Sequence, residues 1–212
     1  MTVLDSWKFY YPKGPVAGDK SIPGISIPGS GSDFQIIPFN VLDYSLMLND
    51  GVVKMIHQLE HIGIHFAIGK TTFIAMIGNM RDALKRFQSS AESMQHIIHS
   101  VNRGQEAVTI RQAEMLNNRV QNLERAFIFE QGIYAERTQY RHLVFTSSEH
   151  NDYGGVLFAG IMDPAVRWRN AYASGDLSTA NHWLETVKIS FTKLQYAIES
   201  AILTLNLQGF YD

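Results

Sequence analysis

Two stretches of the chain repeat apolar residues at alternating spacings of four and three, and no other feature constrains the fold as strongly. One lies within residues 72–101 and the other within residues 176–205. This spacing places the apolar side chains on one face of an α-helix, and that face must be covered by another helix. The sequence therefore predicts two long helices. Their apolar positions are Phe73, Ile77, Met80, Leu84, Phe87, Ala91, Met94, Ile98 and Val101, and Ala180, Leu184, Val187, Phe191, Leu194, Ile198, Ala201 and Leu205.

Two further segments also carry helical patterns. Asn40 is a suitable N-cap for a helix over about 41–62, although Gly51 weakens the middle of that helix. Residues 105–128 repeat apolar side chains on one face and follow a Gly-containing turn, so we predict a third helix there, antiparallel to the helix before it.

The remaining segments lack any regular period. Residues 13–33 are dominated by Gly, Pro and Ser, and residues 129–175 carry Gly154, Gly155 and Pro164. No stretch alternates apolar and polar residues as a strand would. We predict an all-α fold: a four-helix up-and-down bundle with an extended N-terminal lead and a long ordered loop before the last helix, containing at most short helical pieces.

Composition excludes several classes of function. The 212 residues are 45% hydrophobic and 18% charged, which is ordinary for a globular protein, and the formal net charge is only −2. Lys and Arg are scattered among acidic residues, so nucleic acid is not an expected partner. The absence of Cys excludes disulfides and thiolate chemistry. No apolar run is long enough to span a bilayer, so we expect no membrane contact by this chain.

One short motif suggests a metal site. His57, Glu60 and His61 match the inverted zinc-peptidase pattern, in which two histidines bind zinc and a glutamate activates water. The alternative is a helix face that carries polar residues by chance, because a catalytic site would also need a third protein ligand and a concave scaffold. A zinc-dependent hydrolase or metal-binding helical protein is therefore the rival hypothesis to a structural role.

A group of charged residues indicates how the long loop is held. Arg125, Arg137, Arg141 and His142 lie close in sequence to Glu124, Glu130 and Glu136. We predict that they form ion pairs that fix the loop on the bundle.

Four segments together carry a family resemblance. Residues 37–44 read Ile-Pro-Phe-Asn-Val-Leu-Asp-Tyr, residues 122–128 read Asn-Leu-Glu-Arg-Ala-Phe-Ile, residues 140–145 read Tyr-Arg-His-Leu-Val-Phe, and residues 147–163 contain Ser-Glu-His-Asn-Asp-Tyr-Gly-Gly and Gly-Ile-Met-Asp. In order and spacing they resemble the C-terminal, transferrin receptor-like dimerisation domain of glutamate carboxypeptidase II and its relatives. The resemblance implies one such domain over residues 36–212 and a loop-rich remnant of the peptidase-domain edge over residues 1–35.

The resemblance also implies that a peptidase core is missing from this chain. Residues 4–8 and 29–34 resemble segments of the family's peptidase domain, yet the long stretch that separates them from the helical domain in the family does not occur between Phe34 and Ile37. The family's zinc ligands and catalytic glutamate have no counterparts here. We therefore expect no enzyme activity and no cofactor in the chain, with zinc belonging to a full-length parent that is active.

The implied role is structural. A homodimer is expected, as are contacts with the parent's peptidase domain, unless the isolated bundle needs that domain to pair and is monomeric. Ser32, Asp152 and Tyr153 correspond to residues at the family's substrate pocket, and Tyr153 matches the tyrosine that contacts the substrate's terminal carboxylate. Asp152 stands where glutamate-specific members have lysine, which disfavours a glutamate preference. Family members are usually membrane-anchored with this domain on the lumenal or extracellular side.

Overall fold

The computed structural model describes residues 36–149, 157–208 and 210. These residues form six α-helices: α1 Val41–Ile62, α2 Ile64–Ile68, α3 Lys70–Asn102, α4 Ile110–Leu123, α5 Ala159–Ala173 and α6 Leu177–Leu205. Two 3₁₀ turns cover Glu124–Phe127 and Ala135–Arg137. The described part of the chain contains no strand, only isolated bridges between Ile128 and His142 and between Phe145 and Leu157. The all-α class is therefore confirmed.

The first helix begins and ends as its sequence predicts. The Asn40 side chain accepts a hydrogen bond from the backbone N–H of Asp43 (3.0 Å), and Gly63 ends the helix in the left-handed region at φ 91°. Leu157 and Phe158 pack directly against Gly51, so this position of the helix has no room for a side chain. The glycine that weakens the pattern is thus a contact point.

The two long helices bury the predicted apolar seams. Helix α3 buries one face from Phe73 to Val101, and α6 buries one face from Ala180 to Leu205. Asp176 caps α6 by accepting a hydrogen bond from Thr179 N–H (3.0 Å). Both predicted long helices are confirmed, and their buried faces form the centre of the core.

Helix α4 is shorter than the predicted 105–128. Thr109 forms a capping box with Gln112, so regular hydrogen bonding starts only at Ile110. At the other end the backbone tightens into the 3₁₀ turn Glu124–Phe127. The apolar face from Ala113 to Leu123 is buried as predicted.

Helix α5 lies within the segment predicted to be a long loop, so that part of the prediction is wrong. Its first seven residues, 159–165, are all buried, which removes the contrast between two faces on which the helical pattern depends. Pro164 also lies inside this helix. With six helices, the predicted four-helix up-and-down bundle is not confirmed.

Helix α6 is the element around which the others are arranged. It packs against α5 across the turn at Gly175, against α3, and against α4 with the 3₁₀ turn that follows it. Helix α1 runs antiparallel to α3, since Val41 N–H binds Gln95 near the end of α3 (2.8 Å) while the short α2 joins the other ends. No helix in the described residues is long and apolar enough to cross a membrane. The predicted N-terminal lead lies outside the described residues.

Candidate dimerisation surface and loop anchor

The outer face of α6 carries three large apolar side chains that are spaced by seven residues. Ile189, Tyr196 and Leu203 are 56%, 67% and 72% exposed. Seven residues are nearly two helical turns, so these side chains form one stripe opposite the buried face of the helix. The stripe is about 21 Å long at 1.5 Å per residue. We call this stripe the α6 outer face.

The charged groups beside the α6 outer face already have partners within the chain. The ammonium group of Lys193 donates to the carbonyl oxygens of Gly132 (3.2 Å) and Ile133 (3.3 Å) and lies 4.6 Å from the centre of the Phe129 ring. Partial burial lowers the pKa of Lys193. On the other side, Glu199 accepts a hydrogen bond from Arg86 Nη1 of α3 (2.7 Å). A second molecule could therefore cover the stripe without leaving these charges unpaired.

Helix α1 offers a weaker apolar surface. Leu46 and Val53 are only 45% and 38% exposed, and they share their face with the charged Asp50 and with His57. Asp50 is paired with Lys54 (2.6 Å), but the two apolar side chains expose less area than those of α6, so we regard α6 as the better interface.

A buried polar cluster holds the chain just before residue 150. The carboxylate of Asp163 in α5 accepts hydrogen bonds from the Ser148 hydroxyl (2.6 Å), the Glu149 backbone N–H (3.0 Å) and Arg137 Nη1 (3.0 Å). Asp163 is 1% exposed, so three donors compensate the cost of burying its charge. We call these contacts the Asp163 anchor.

Two of the predicted ion pairs around the loop are present. Arg141 pairs with Glu130 (3.0 Å), and His142 Nε2 lies 2.8 Å from Glu124 Oε1. The other ring nitrogen of His142 accepts the backbone N–H groups of residues 144 and 145, so its proton resides on Nε2 and is donated to Glu124. Arg137 instead pairs with Asp163 (3.0 Å) and lies 3.9 Å from Glu149, and the carboxylate of Glu136 lies 3.3 Å from His182, so these contacts differ from the predicted ones.

The match to a family model decides the identity of this fold. The model described as the transferrin receptor-like dimerisation domain matches residues 76–202, more than half of the chain. The chain belongs to this family. The matched residues run from the second turn of α3 to the last turn of α6, so they include Ile189 and Tyr196 of the α6 outer face and the whole Asp163 anchor, whereas Leu203 lies just beyond the match.

Three curated relatives of this dimerisation domain are glutamate carboxypeptidase-like proteins. The chain is 29% identical over 174 residues to a probable glutamate carboxypeptidase LAMP1 of Arabidopsis thaliana. It is 24% identical over 178 and 181 residues to glutamate carboxypeptidase 2 homologs of Caenorhabditis briggsae and Caenorhabditis elegans. Each alignment covers 82% of the chain and 22% of the relative, so the chain spans about a fifth of the length of these relatives.

The predicted metal motif of the dimerisation domain lies on an exposed face of α1. His57 Nδ1 lies 3.7 Å from Glu60 Oε2, and the two side chains are 75% and 47% exposed. His61 is exposed on the same helix. Among the described residues there is no group of three or more His, Asp or Glu side chains that could hold a metal ion. Within the described residues, His57, Glu60 and His61 therefore do not belong to such a group, and a catalytic zinc centre needs three protein ligands.

The predicted substrate-pocket residues lie outside the described residues. Ser32, Asp152 and Tyr153 fall in residues 1–35 and 150–156. Sequence patterns alone do not identify Asp163, Glu149 or Arg167 as functional residues. A usable signal existed for Asp163, because it is the one charged residue in an otherwise apolar run over residues 156–166.

Proposed function

We propose that this chain is a non-catalytic dimerisation domain that forms a homodimer through the α6 outer face. The observation that carries the proposal is the stripe of Ile189, Tyr196 and Leu203, each more than half exposed on the helix that is central to the fold. Isolated exposed apolar residues are common on protein surfaces, but a contiguous stripe of large ones is typical of an interface. The family's description supports self-association as its use.

The chemistry of the stripe suits a two-fold contact between identical helices. In an isologous interface, each residue faces its own counterpart or a neighbour of it, so a charge in the centre would be opposed by the same charge. The centre here is Tyr196, with Thr192 and Ser200 one turn away on either side. The ion pair between Arg86 and Glu199 lies at the edge, where interfaces are polar.

The stripe alone is smaller than a stable interface requires. A specific dimer buries about 800 Å² on each partner. We therefore expect the contact to extend from α6 onto the neighbouring surface of α3 around Arg86. Tyr196 has the properties of an interface hot spot, since a large aromatic ring near the centre of the stripe loses most exposed area on pairing.

The test is solution mass by light scattering over a protein concentration series, using paired variants. We expect a wild-type mass near twice 24.0 kDa. Tyr196→Glu places a carboxylate at the two-fold axis and should give the monomer mass, with helical content by far-ultraviolet circular dichroism unchanged because the side chain is exposed. Ile74→Glu is the matched control, since Ile74 is 69% exposed on α3 but lies outside the stripe. A dimer that Tyr196→Glu leaves intact, or a wild-type monomer at every concentration, contradicts the proposal.

The same measurement separates the rival metal hypothesis. Replacing both His57 and His61 with Ala, or adding a chelator, should leave the dimer mass unchanged under our proposal. A mass that falls on chelation and in the double variant would support metal-mediated pairing through the exposed histidines.

For a longer protein that contains this chain, we infer a second role in completing a substrate pocket. The support is the resemblance that places Ser32, Asp152 and Tyr153 at the family's pocket, with a zinc-containing peptidase domain as the partner within the parent. Asp152 would repel an acidic substrate terminus. In an active full-length parent, Asp152→Lys should therefore lower KM for peptides that end in glutamate, and an unchanged KM would contradict this role.

A further inference from the structure

The Asp163 anchor ties three separate points of the chain to one carboxylate. Arg137 ends the second 3₁₀ turn, Ser148 and Glu149 lie just before residue 150, and Asp163 belongs to α5. Arg137 is itself 6% exposed, and its guanidinium lies 3.9 Å from the centre of the Tyr140 ring. The groups that donate to this buried carboxylate tolerate little displacement, because each lost hydrogen bond leaves the desolvation of the charge less well compensated.

Glu149 adds a second layer to the anchor. Its carboxylate accepts hydrogen bonds from the Tyr134 hydroxyl (2.9 Å) and from Arg167 Nε of α5 (2.9 Å). Partial burial by itself would raise the pKa of Glu149, but the hydrogen bonds from Arg167 and Tyr134 outweigh it and hold that pKa below its usual value. Arg167 in turn lies 4.5 Å from the centre of the Trp183 ring in α6. Residue 149 is thus fixed through both its backbone and its side chain.

The chain is fixed again at residues 157 and 158, by apolar contacts. Phe158 donates its backbone N–H to Val144 O (3.0 Å), and its ring is 1% exposed against Gly51 of α1. Phe158 has φ 62°, a left-handed conformation that a residue with a side chain seldom adopts. Such a conformation persists only where the surrounding packing determines it. Residue 158 therefore has a defined position as well.

We propose that Asp163 is a positioning residue, which fixes the chain at Glu149 on one side of residues 150–156, while Phe158 fixes the chain on the other side. The consequence for the pocket residues Asp152 and Tyr153 rests on the proposed function above, but the fixing of both ends does not. The polar end acts through a single carboxylate and the apolar end through close packing on a glycine. A change at Asp163 therefore releases the first end and leaves the second in place.

The experiment is hydrogen exchange measured by mass spectrometry on the whole chain, with Asp163→Asn. The Asn side chain keeps one acceptor oxygen but carries no charge, so the charge-assisted hydrogen bonds that Asp163 accepts from Arg137 and from the Glu149 N–H are weakened. We expect exchange in peptides covering residues 145–149 to become roughly tenfold faster or more, with peptides from the core of α6 unchanged. Asp82→Asn on α3, where the side chain is 72% exposed, is the matched control and should change neither.

The result that overturns the inference is equally specific. If exchange in residues 145–149 is unchanged, Asp163 does not fix this end. If exchange rises uniformly through α5 and α6, Asp163 contributes only to overall stability and positions nothing. Should Asp163→Asn fail to fold, Ser148→Ala removes one donor without touching the charge, and it should raise exchange in residues 145–149 by a few fold.

Light scattering on the same samples keeps the two proposals apart. A monomeric wild type that still shows local release in Asp163→Asn contradicts dimerisation and supports the anchor. A dimer whose residues 145–149 do not respond contradicts the anchor and supports dimerisation.

Discussion

Gly51 and Gly78 provide a matched pair that tests the packing of α1 on the segment before α5. Both glycines lie inside long helices. A Cβ atom added at Gly51 would lie 2.6 Å from Leu157 Cδ1 and 3.1 Å from Phe158 Cε2, whereas one added at Gly78 meets no heavy atom within 4 Å. Replacing each glycine with alanine therefore makes the same chemical change in two different surroundings.

The expected magnitudes follow from two opposing effects. Alanine stabilises a helix interior by about 1 kcal/mol relative to glycine, and Gly78→Ala should show this gain in full. At Gly51, overpacking costs about 1–3 kcal/mol. The half-buried Leu157 side chain can rotate away, but the buried Phe158 ring is held by its left-handed backbone. We expect Gly51→Ala to lose about 1 kcal/mol net, so the two variants should differ by about 2 kcal/mol.

The assay is urea denaturation followed by far-ultraviolet circular dichroism, with both variants and the wild type at one protein concentration. A common concentration is needed because dimerisation makes apparent stability depend on it. Equal slopes with shifted midpoints would show that stability alone changed.

Equal stabilisation by both alanines would refute this reasoning. It would mean that Leu157 and Phe158 do not pack on Gly51, and the apolar end of the loop attachment would then have no structural basis.

Three further predictions test other parts of the fold. Gly132 has φ 82°, and a Cβ atom added there would lie 2.4 Å from a backbone Cα atom. Gly132→Ala should therefore lower the unfolding free energy, measured by urea denaturation, by more than about 2 kcal/mol. Gly63→Ala, at φ 91° with no heavy atom within 4 Å of the added Cβ, should lower it by only about 1–2 kcal/mol. The lowered pKa of Glu149 contributes stability that is present above its unfolded-state pKa and is lost as pH falls through its lower folded-state pKa. On the acid side, the unfolding free energy of the wild type should therefore fall more steeply with pH than that of Glu149→Gln. Parallel profiles would contradict the hydrogen bonding described. His142→Phe removes the ring nitrogen that accepts two backbone N–H groups and should lower the unfolding free energy by about 2–4 kcal/mol. His182→Phe, at an exposed position, should change it by less than about 0.5 kcal/mol. Equal effects would contradict the role of His142 as an acceptor for these groups.

The sequence predicts the long helices well because their physics is local. In α3 and α6 a buried face alternates with an exposed one at helical spacing, and Asn40 and Asp176 mark helix starts with side-chain caps. Helix α5 escapes the same analysis because burial on nearly all sides removes the periodic contrast. Its position between α1 and α6 is a tertiary fact that no local window contains.

The ion pairs also show that only contacts between residues close in the sequence can be predicted from it. Arg141 with Glu130 and His142 with Glu124 join residues within 18 positions of each other, in a segment where opposite charges are visibly close in the sequence. Arg137 instead pairs with a residue 26 positions away, in a helix that the pattern did not reveal. Predicting that partner requires α5 to be placed first, and so the Asp163 anchor could not be derived from charge proximity alone.

The α6 outer face illustrates why an interface is harder to predict than a core. Its apolar stripe repeats at seven residues, as does the buried seam on the other side of the same helix, and spacing alone does not tell which of the two is covered within the chain. Only the packing of α3, α4 and α5 around α6 identifies the remaining side as open in the described residues. A helix that is apolar on two opposite sides, with one side covered internally, gains stability when the other is covered by a second molecule. The solution masses of the Tyr196→Glu and Ile74→Glu variants therefore test whether the exposed stripe is an interface, which the sequence pattern alone cannot decide.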